Sequence, residues 1–226
     1  MLTRVLAATG AVVASLAVAV PAHAEPREPV HSQVITVRVA TASSTSGVLE
    51  AWQWDSAAGE YARVLGPMTA YVGEDGVGRA SERVSRTPAG TFSLSEAFGR
   101  YRDPGAHLPY RRVGLSDWWV SDVRSGKYNT YQRCSPGDRC GFDQSRSEQL
   151  GAVAAYGYAV VIDYNRLPVV RGDGSAFFLH VSEGRPTQGC VSVAERHMKR
   201  IVTWLLPEES PVISIGVGAA AYAVLR

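Results

Sequence analysis

The stretch from Phe177 to Val193 constrains the fold and chemistry of this chain more than any other segment. It begins with an apolar run typical of a buried strand, carries His180 near the end of that run, and continues through a polar loop with glycine and proline to Cys190. Apolar residues then recur at helical spacing and predict a helix from about Val193 to Leu205. A loop of this length allows His180 and Cys190 to meet, which predicts a site for nucleophilic catalysis.

The start of this helix bears on the reactivity of the cysteine. Ser192 and Glu195 have the spacing of a capping box. Cys190 is therefore expected just ahead of a helix N-terminus, where free N–H groups and the helix dipole favour a thiolate. His180 is the candidate general base, and the backbone N–H groups of Gly189 and Cys190 are candidates to bind an oxyanion.

The sequence leaves open what orients His180. Backbone carbonyl groups and Glu183 are both candidates. Of the other histidines, His31 and His197 are expected to be solvated, and His107 lies in a loop that could approach a site. Thr87-Pro88-Ala89-Gly90 has proline and glycine where a type I turn prefers them, so a structural role is favoured there over a functional one.

Three segments occur in an order that resembles a known family. They are Arg86–Phe92, Ala159–Asn165 and the run from His180 through Thr187-Gln188-Gly189-Cys190. Together they resemble the L,D-transpeptidase catalytic domain, the YkuD-like family, whose members remodel bacterial peptidoglycan with a cysteine nucleophile. The resemblance extends from about Val34 to Gly216.

Two departures from the family pattern indicate a variant branch. The family more often has a second histidine where this chain has Gln188, and asparagine or arginine where it has Ser192. The spacing from His180 to Cys190 is also shorter than in the best-known members.

The resemblance implies a fold and a reaction. The expected fold is mainly β, an L,D-transpeptidase-like β-sandwich with one prominent α-helix after the catalytic cysteine, and the many short alternating strands agree with it. The expected reaction is acyl transfer through a cysteine thioester, between peptidoglycan stem peptides, to form 3-3 cross-links without any cofactor. The candidate substrate contacts are Tyr164, Asn165, Thr187, Gln188 and Ser192.

Two alternative functions remain. An L,D-carboxypeptidase would hydrolyse the same bond with water. An inactive wall-binding module would use the aromatic residues between Leu115 and Tyr131 to bind glycan, although a half-buried β-surface explains these residues equally well. A papain-like peptidase is disfavoured, because in that family the cysteine precedes the histidine.

The N-terminal sequence predicts export. Residues 1–24 combine a basic start, an apolar stretch and Ala22-His23-Ala24, which is typical of a signal peptide, with an uncleaved anchor as the alternative. Residues 25–32 are interpreted as a linker, 33–216 as the catalytic domain and 217–226 as a tail that forms a last strand or a disordered end. The expected location is secreted, in the cell wall or the periplasmic space, with no stable membrane insertion after cleavage.

Cysteine spacing and net charge predict the redox state of the cysteines and the kinds of partner. In an exported chain, Cys134 and Cys140 are expected to form a small disulfide loop, which leaves Cys190 reduced. A zinc site with His107 is disfavoured by the spacing, so no metal is expected. With 23 Lys and Arg against 21 Asp and Glu, no nucleic-acid partner is expected; the sequence does not predict an oligomeric state.

Overall fold

The computed structural model describes residues 29–226, and the predicted signal peptide lies outside them. Residues 29–226 form short strands, one α-helix and several 3-10 helices. The strands are β1 (Gln33–Val39), β2 (Ser46–Asp55), β3 (Glu60–Tyr71), β4 (Val77–Gly78), β5 (Thr87–Pro88), β6 (Gly90–Gly99), β7 (Tyr110–Arg112), β8 (Asp117–Trp119), β9 (Tyr131–Arg133), β10 (Glu148–Gln149), β11 (Ala159–Ile162), β12 (Phe178–Val181), β13 (Val191–Val193) and β14 (Val212–Val217). The α-helix is α1 (Glu195–Trp204), and the 3-10 helices are Gln144–Arg146, Leu150–Ala152, Pro207–Glu209 and Gly218–Leu225.

Nine strands form the main sheet, in the order β11-β12-β13-β3-β2-β1-β14-β6-β7. Strand β6 also pairs with β11, so the sheet closes on itself and β7 is attached outside the closure. Most pairings are antiparallel, but β12 and β13 are parallel neighbours. The prediction of a mainly β fold with one prominent helix is confirmed.

Strands β11, β12 and β13 separate two apolar clusters. Because successive side chains on a strand point to opposite faces, alternate residues enter different clusters. Leu179 and Val191 belong to the main core, which lies inside the closed sheet. Phe178 and the side chain of Cys190 pack on the other side, in a second group, here called the aromatic cluster, that includes Phe98, Trp119, Tyr156 and Phe178.

Helix α1 closes one side of the main core with Met198, Ile201 and Val202, all fully buried. It begins at Glu195, later than predicted, and its N-cap is Ala194, whose side chain makes no capping hydrogen bond. The predicted capping box is therefore wrong. Ser192 lies inside β13, where it pairs with His180 on one side and Tyr71 on the other, so strand pairing overrides the local capping pattern.

The C-terminal tail forms a 3-10 helix instead of the expected strand or disordered end. Ala221 is fully buried, and the Tyr222 hydroxyl donates to Glu50 at 2.7 Å. The Glu50 carboxylate also pairs with Arg63 at 2.6 Å and is nearly buried. The tail packs against β1 and β14, and Tyr222 gives the buried Glu50 carboxylate a second hydrogen-bond partner.

A small sheet of β8, β9 and β10 lies next to the aromatic cluster. The predicted disulfide is present between Cys134 and Cys140, with their Cα atoms 5.9 Å apart, and Cys190 carries a free thiol. Trp118 and Trp119 are buried, so they do not form an exposed platform for glycan. Within residues 29–226 no helix has the length and apolar character needed to cross a membrane.

Candidate active site

Cys190 lies directly before β13, and its sulfur sits at the edge of the aromatic cluster. The backbone N–H of Phe178 donates to Sγ at 3.3 Å, and the thiol lies 3.4 Å from the carbonyl oxygen of Ala176 as a donor. Tyr156 packs in the same cluster, and a hydrogen bond from its hydroxyl would lower the pKa of Cys190. The sulfur therefore lies against two segments that precede it in the chain.

The resting form of Cys190 is the thiol. Burial raises the pKa of Cys190 well above its ordinary value, and the negative charge of Glu148 raises it further. The prediction of a thiolate stabilised by a helix N-terminus is wrong, because α1 begins only at Glu195 and β13 separates it from the sulfur. Proton removal must therefore accompany nucleophilic attack.

His180 lies on β12 and lines the same cleft as Cys190. Its Nδ1–H donates to the carbonyl of Val181 at 2.8 Å, so Nε2 is the basic nitrogen. Of the candidate orienting groups, a backbone carbonyl therefore holds the ring. Only 8% of His180 is exposed, and burial lowers the pKa of its imidazole, which keeps it neutral near pH 7.

Strand register puts His180 and Cys190 on the same face of the sheet. His180 pairs directly with Ser192 across β12 and β13, and Cys190 precedes Ser192 by one strand repeat. Both side chains line one cleft of about 710 Å³. The structure thus brings together the two residues that the sequence identified as nucleophile and base.

Two threonines hold the backbone of Cys190. Thr187 donates through Oγ1 to the Cys190 carbonyl at 2.6 Å, and Thr87 donates to the same oxygen at 3.3 Å. Thr87 also accepts the N–H of Gly73 at 2.8 Å and is completely buried. Thr87 therefore supports the nucleophile directly, a role that its turn-like sequence context did not indicate.

The type I turn predicted at this position is wrong. Thr87 and Pro88 form β5, which pairs with β4, and Gly90 begins β6. Long-range pairing with Val77 and Gly78 keeps the segment extended. The extended backbone is what directs Thr87 towards Cys190.

Gly189 must be glycine for steric reasons. Its φ is +134°, and a Cβ atom there would lie 2.7 Å from Cε1 of Phe177. Its N–H donates to Oγ1 of Thr187 at 3.1 Å. For Gly189 to bind an oxyanion as the sequence predicts, this N–H must leave Thr187.

The remaining predicted contacts divide into two groups. Thr187, Gln188 and Ser192 line the cleft; Gln188 is exposed, and Ser192 Oγ is buried without a hydrogen-bond partner among residues 29–226. The structure does not bring Tyr164 and Asn165 to the cleft. The hydroxyl of Tyr164 donates to the carbonyl of Asp173 at 2.9 Å, and the Asn165 amide holds its own loop.

Two residues at the site were missed by the sequence analysis. The hydroxyl of Tyr156 donates to Oε1 of Glu148 at 2.5 Å, and burial raises the pKa of Glu148 to about 7. No motif or spacing marks either residue, because Glu148 comes from the short strand β10 and Tyr156 from the loop before β11. Only the perturbed carboxyl group beside the thiol identifies them.

The cleft carries both charges and offers no built metal site. Basic and acidic side chains line it together, among them Arg83, Arg146, Arg185, Glu74, Glu82 and Glu183. Within residues 29–226 no group of three or more His, Cys, Asp or Glu side chains could hold a metal ion. The cleft is thus suited to a ligand that carries both charges.

Comparison with known families agrees with the geometry. The family model described as the L,D-transpeptidase catalytic domain (YkuD) matches residues 47–213. Comparisons with curated proteins and with solved structures found no match. Since the matched range covers well over half of the chain and includes both Cys190 and His180, the chain belongs to the YkuD family of L,D-transpeptidase catalytic domains.

Proposed function

We propose that the protein is an exported cysteine L,D-transpeptidase that joins peptidoglycan stem peptides by 3-3 cross-links. The observation that carries this proposal is the placement of a Cys190 thiol and a neutral His180 imidazole on one face of adjacent strands, at a cleft of about 710 Å³. Membership of the YkuD family supports peptidoglycan as the polymer.

The first half of the reaction acylates Cys190. His180 Nε2 takes the thiol proton as Sγ attacks the carbonyl carbon of the third residue in the donor stem. The bond from that carbon to the nitrogen of the terminal D-alanine then breaks, and His180 returns its proton to the departing amine. The neutral state of His180 supports this role, because an imidazolium could not accept the proton.

The second half transfers the acyl group. The side-chain amine on the third residue of another stem attacks the thioester carbonyl and loses a proton to His180. The carbon–sulfur bond breaks, and the proton returns to Cys190. The oxyanion formed in each half needs donors, for which the N–H groups of Gly189 and Cys190 remain the candidates.

The charge of the cleft supports a stem peptide as ligand. A stem with a diamino acid at its third position carries both amine and carboxylate groups. Arg83, Arg146 and Arg185 offer partners to carboxylates, while Glu74 and Glu82 offer partners to amines. Thr187, Gln188 and Ser192 flank the nucleophile as candidate contacts.

The test is a product analysis with purified mature protein. A tetrapeptide stem alone and a tetrapeptide with an acceptor stem are incubated with wild type and with Cys190→Ala, and products are identified by mass spectrometry. We expect D-alanine release and a 3-3 dimer only with wild type. D-alanine release without any dimer would show an L,D-carboxypeptidase instead.

A covalent probe makes the test independent of the acceptor. Carbapenems acylate cysteines of this family, so intact-protein mass spectrometry should find one adduct on wild type and none on Cys190→Ala. If wild type takes no adduct and releases no D-alanine, while Cys190→Ala binds peptidoglycan as well as wild type does, the enzyme proposal fails. Sequencing of the N-terminus of secreted protein tests export, with Glu25 expected first.

A further inference from the structure

Tyr156 contacts the half-buried carboxyl group of Glu148 and packs in the aromatic cluster that holds the nucleophile. Its hydroxyl donates to Glu148 at 2.5 Å, and Tyr156, Glu148 and Cys190 all line the same cleft. The Tyr156 ring is fixed edge-on by Phe98 and Phe178 at 5.5 Å and by His180 at 5.3 Å. The ring is therefore fixed, and the main freedom left to the hydroxyl is the direction in which its hydrogen points.

We propose that Tyr156 and Glu148 form a positioning pair that controls ionisation of Cys190, with protonated Glu148 turning the Tyr156 hydroxyl towards the sulfur. For turnover, this inference rests on the proposed transpeptidase function. The thiol chemistry it describes is independent of which acyl donor is used.

A phenol has one hydrogen to donate, so the Tyr156 hydroxyl can donate to only one partner at a time. While Glu148 is ionised, its carboxylate can only accept, so Tyr156 donates to it and presents lone pairs to the sulfur. A thiolate would then face lone pairs and a nearby negative charge. Both disfavour its formation, and the low local polarity strengthens the effect.

Protonation of Glu148 reverses this arrangement. A proton taken from water makes Glu148 a donor to the Tyr156 oxygen, which frees the phenol hydrogen to bond to sulfur. The negative charge beside Cys190 disappears in the same step. The pKa of Glu148, raised to about 7 by burial, puts this change in a range where both forms are populated.

The surroundings leave Glu148 without another controlling charge. Its strand partner on β8 is Trp119, which does not titrate. The titratable and charged side chains that line the cleft from neighbouring segments include His180, Glu82, Arg83, Arg146, Glu183 and Arg185, with Glu74 and Asp75 on the far loop. Within residues 29–226 none of them forms an ion pair with Glu148, and Tyr156 is the hydrogen-bonded group through which its state can reach the sulfur.

The experiment measures alkylation of Cys190 by iodoacetamide, and D-alanine release, at pH values on both sides of 7. The variants are Glu148→Gln, Tyr156→Phe and their combination. Tyr158→Phe is the matched control, because this buried tyrosine packs against Tyr101 and belongs to the main core, not to the aromatic cluster that holds the sulfur. Thermal melts establish that each variant folds.

Glu148→Gln mimics the neutral acid, so its Cys190 should be alkylated about tenfold faster than that of wild type above pH 7. This factor corresponds to one hydrogen bond to a charged group, here from Tyr156 to the thiolate. The alkaline limb of its turnover profile should move to higher pH. Tyr156→Phe should alkylate about tenfold more slowly than wild type below pH 7, and the gain from Glu148→Gln should vanish in the double variant. Tyr158→Phe should match wild type.

Two results would overturn the inference. One is a Tyr156→Phe variant whose alkylation profile with pH matches that of wild type. The other is a double variant that keeps the full rate gain of Glu148→Gln, which would mean that the charge of Glu148 acts without Tyr156. If Tyr156→Phe does not fold, an unmoved alkaline limb in Glu148→Gln overturns it equally. Failure of the proposed function looks different. Wild type would then show this pH-dependent alkylation but release no D-alanine.

Discussion

The two faces of β11, β12 and β13 serve different purposes although they share the same backbone. On the inner face, Val160, Leu179 and Val191 enter an entirely apolar core. On the outer face, the same strands present Phe178, His180 and Cys190 to the aromatic cluster and the cleft. Strand alternation thus interleaves stabilising and reactive side chains, one residue apart.

The outer face also shows how titratable groups behave in an apolar setting. Burial raises the pKa of Cys190 and lowers the pKa of His180, so both are neutral at rest. Fast alkylation at neutral pH is therefore not expected of this cysteine, even in an active enzyme. Slow alkylation therefore does not distinguish an inert wall-binding module from an active enzyme. Acylation by a substrate-like probe does, because only the active enzyme should form the adduct.

The largest effect is expected for His180→Ala. Loss of the base should lower the rate of Cys190 acylation by about 10²–10⁴-fold. The thermal midpoint should fall as well, because the ring is only 8% exposed and packs against Tyr156, although water can enter the space from the cleft. Carbapenem acylation kinetics and a thermal melt measure the two quantities. The double variant with Cys190→Ala should lose no more than Cys190→Ala alone.

The pH dependence of wild-type turnover is a second test of His180 as the base. Because burial lowers the pKa of His180, the neutral base should be lost only below the ordinary value of 6.5. The acid limb of kcat/KM should therefore have its midpoint below 6.5. A midpoint above that value would contradict the assignment of a buried His180 as the base.

Leu179→Ala, one residue earlier on β12, should have a different signature. Its side chain is completely buried in the main core, so truncation should cost about 2–5 kcal/mol of unfolding free energy. Urea unfolding measures the loss. The folded fraction should still accept a carbapenem; if acylation disappeared at full folding, the two faces would not be separable.

Thr87→Val should moderately lower both the stability of the protein and the rate of Cys190 acylation. It removes the acceptor for the Gly73 N–H and one donor to the Cys190 carbonyl, with an expected loss of about 1–3 kcal/mol in stability. Acylation should also slow, because the Cys190 backbone is held less firmly. Thr69→Val, at an exposed position of β3 where the hydroxyl makes no hydrogen bond within residues 29–226, is the control and should change neither.

Gln188→Ala should have the smallest effect. The side chain is exposed at the cleft and cannot act as a base near neutral pH, so turnover should fall about twofold, in line with about 0.5 kcal/mol. Steady-state kinetics with a tetrapeptide donor measure it. A loss as large as that of His180→Ala would show that this position carries the role of the second histidine common in the family.

The sequence by itself determined the features that depend on local pattern and residue type. The disulfide between Cys134 and Cys140, the mainly β class and the family followed from motif order, spacing and alternation. The same patterns singled out Cys190 and His180 as the candidate nucleophile and base. The apolar spacing of α1 was also sufficient to predict a helix. Each of these signals lies in a short stretch of chain or in the order of such stretches.

Only the tertiary structure decided the features that depend on pairing between distant segments. Ser192 has the pattern of a helix cap but lies in β13, because β3 and β12 pair with it. Thr87 reaches Cys190 because β4 holds it extended. Glu148 and Tyr156 come into contact, close to Cys190, only when β10 and the loop before β11 pack together. Their residue types alone do not predict this, because burial and neighbouring charges set the protonation of a side chain.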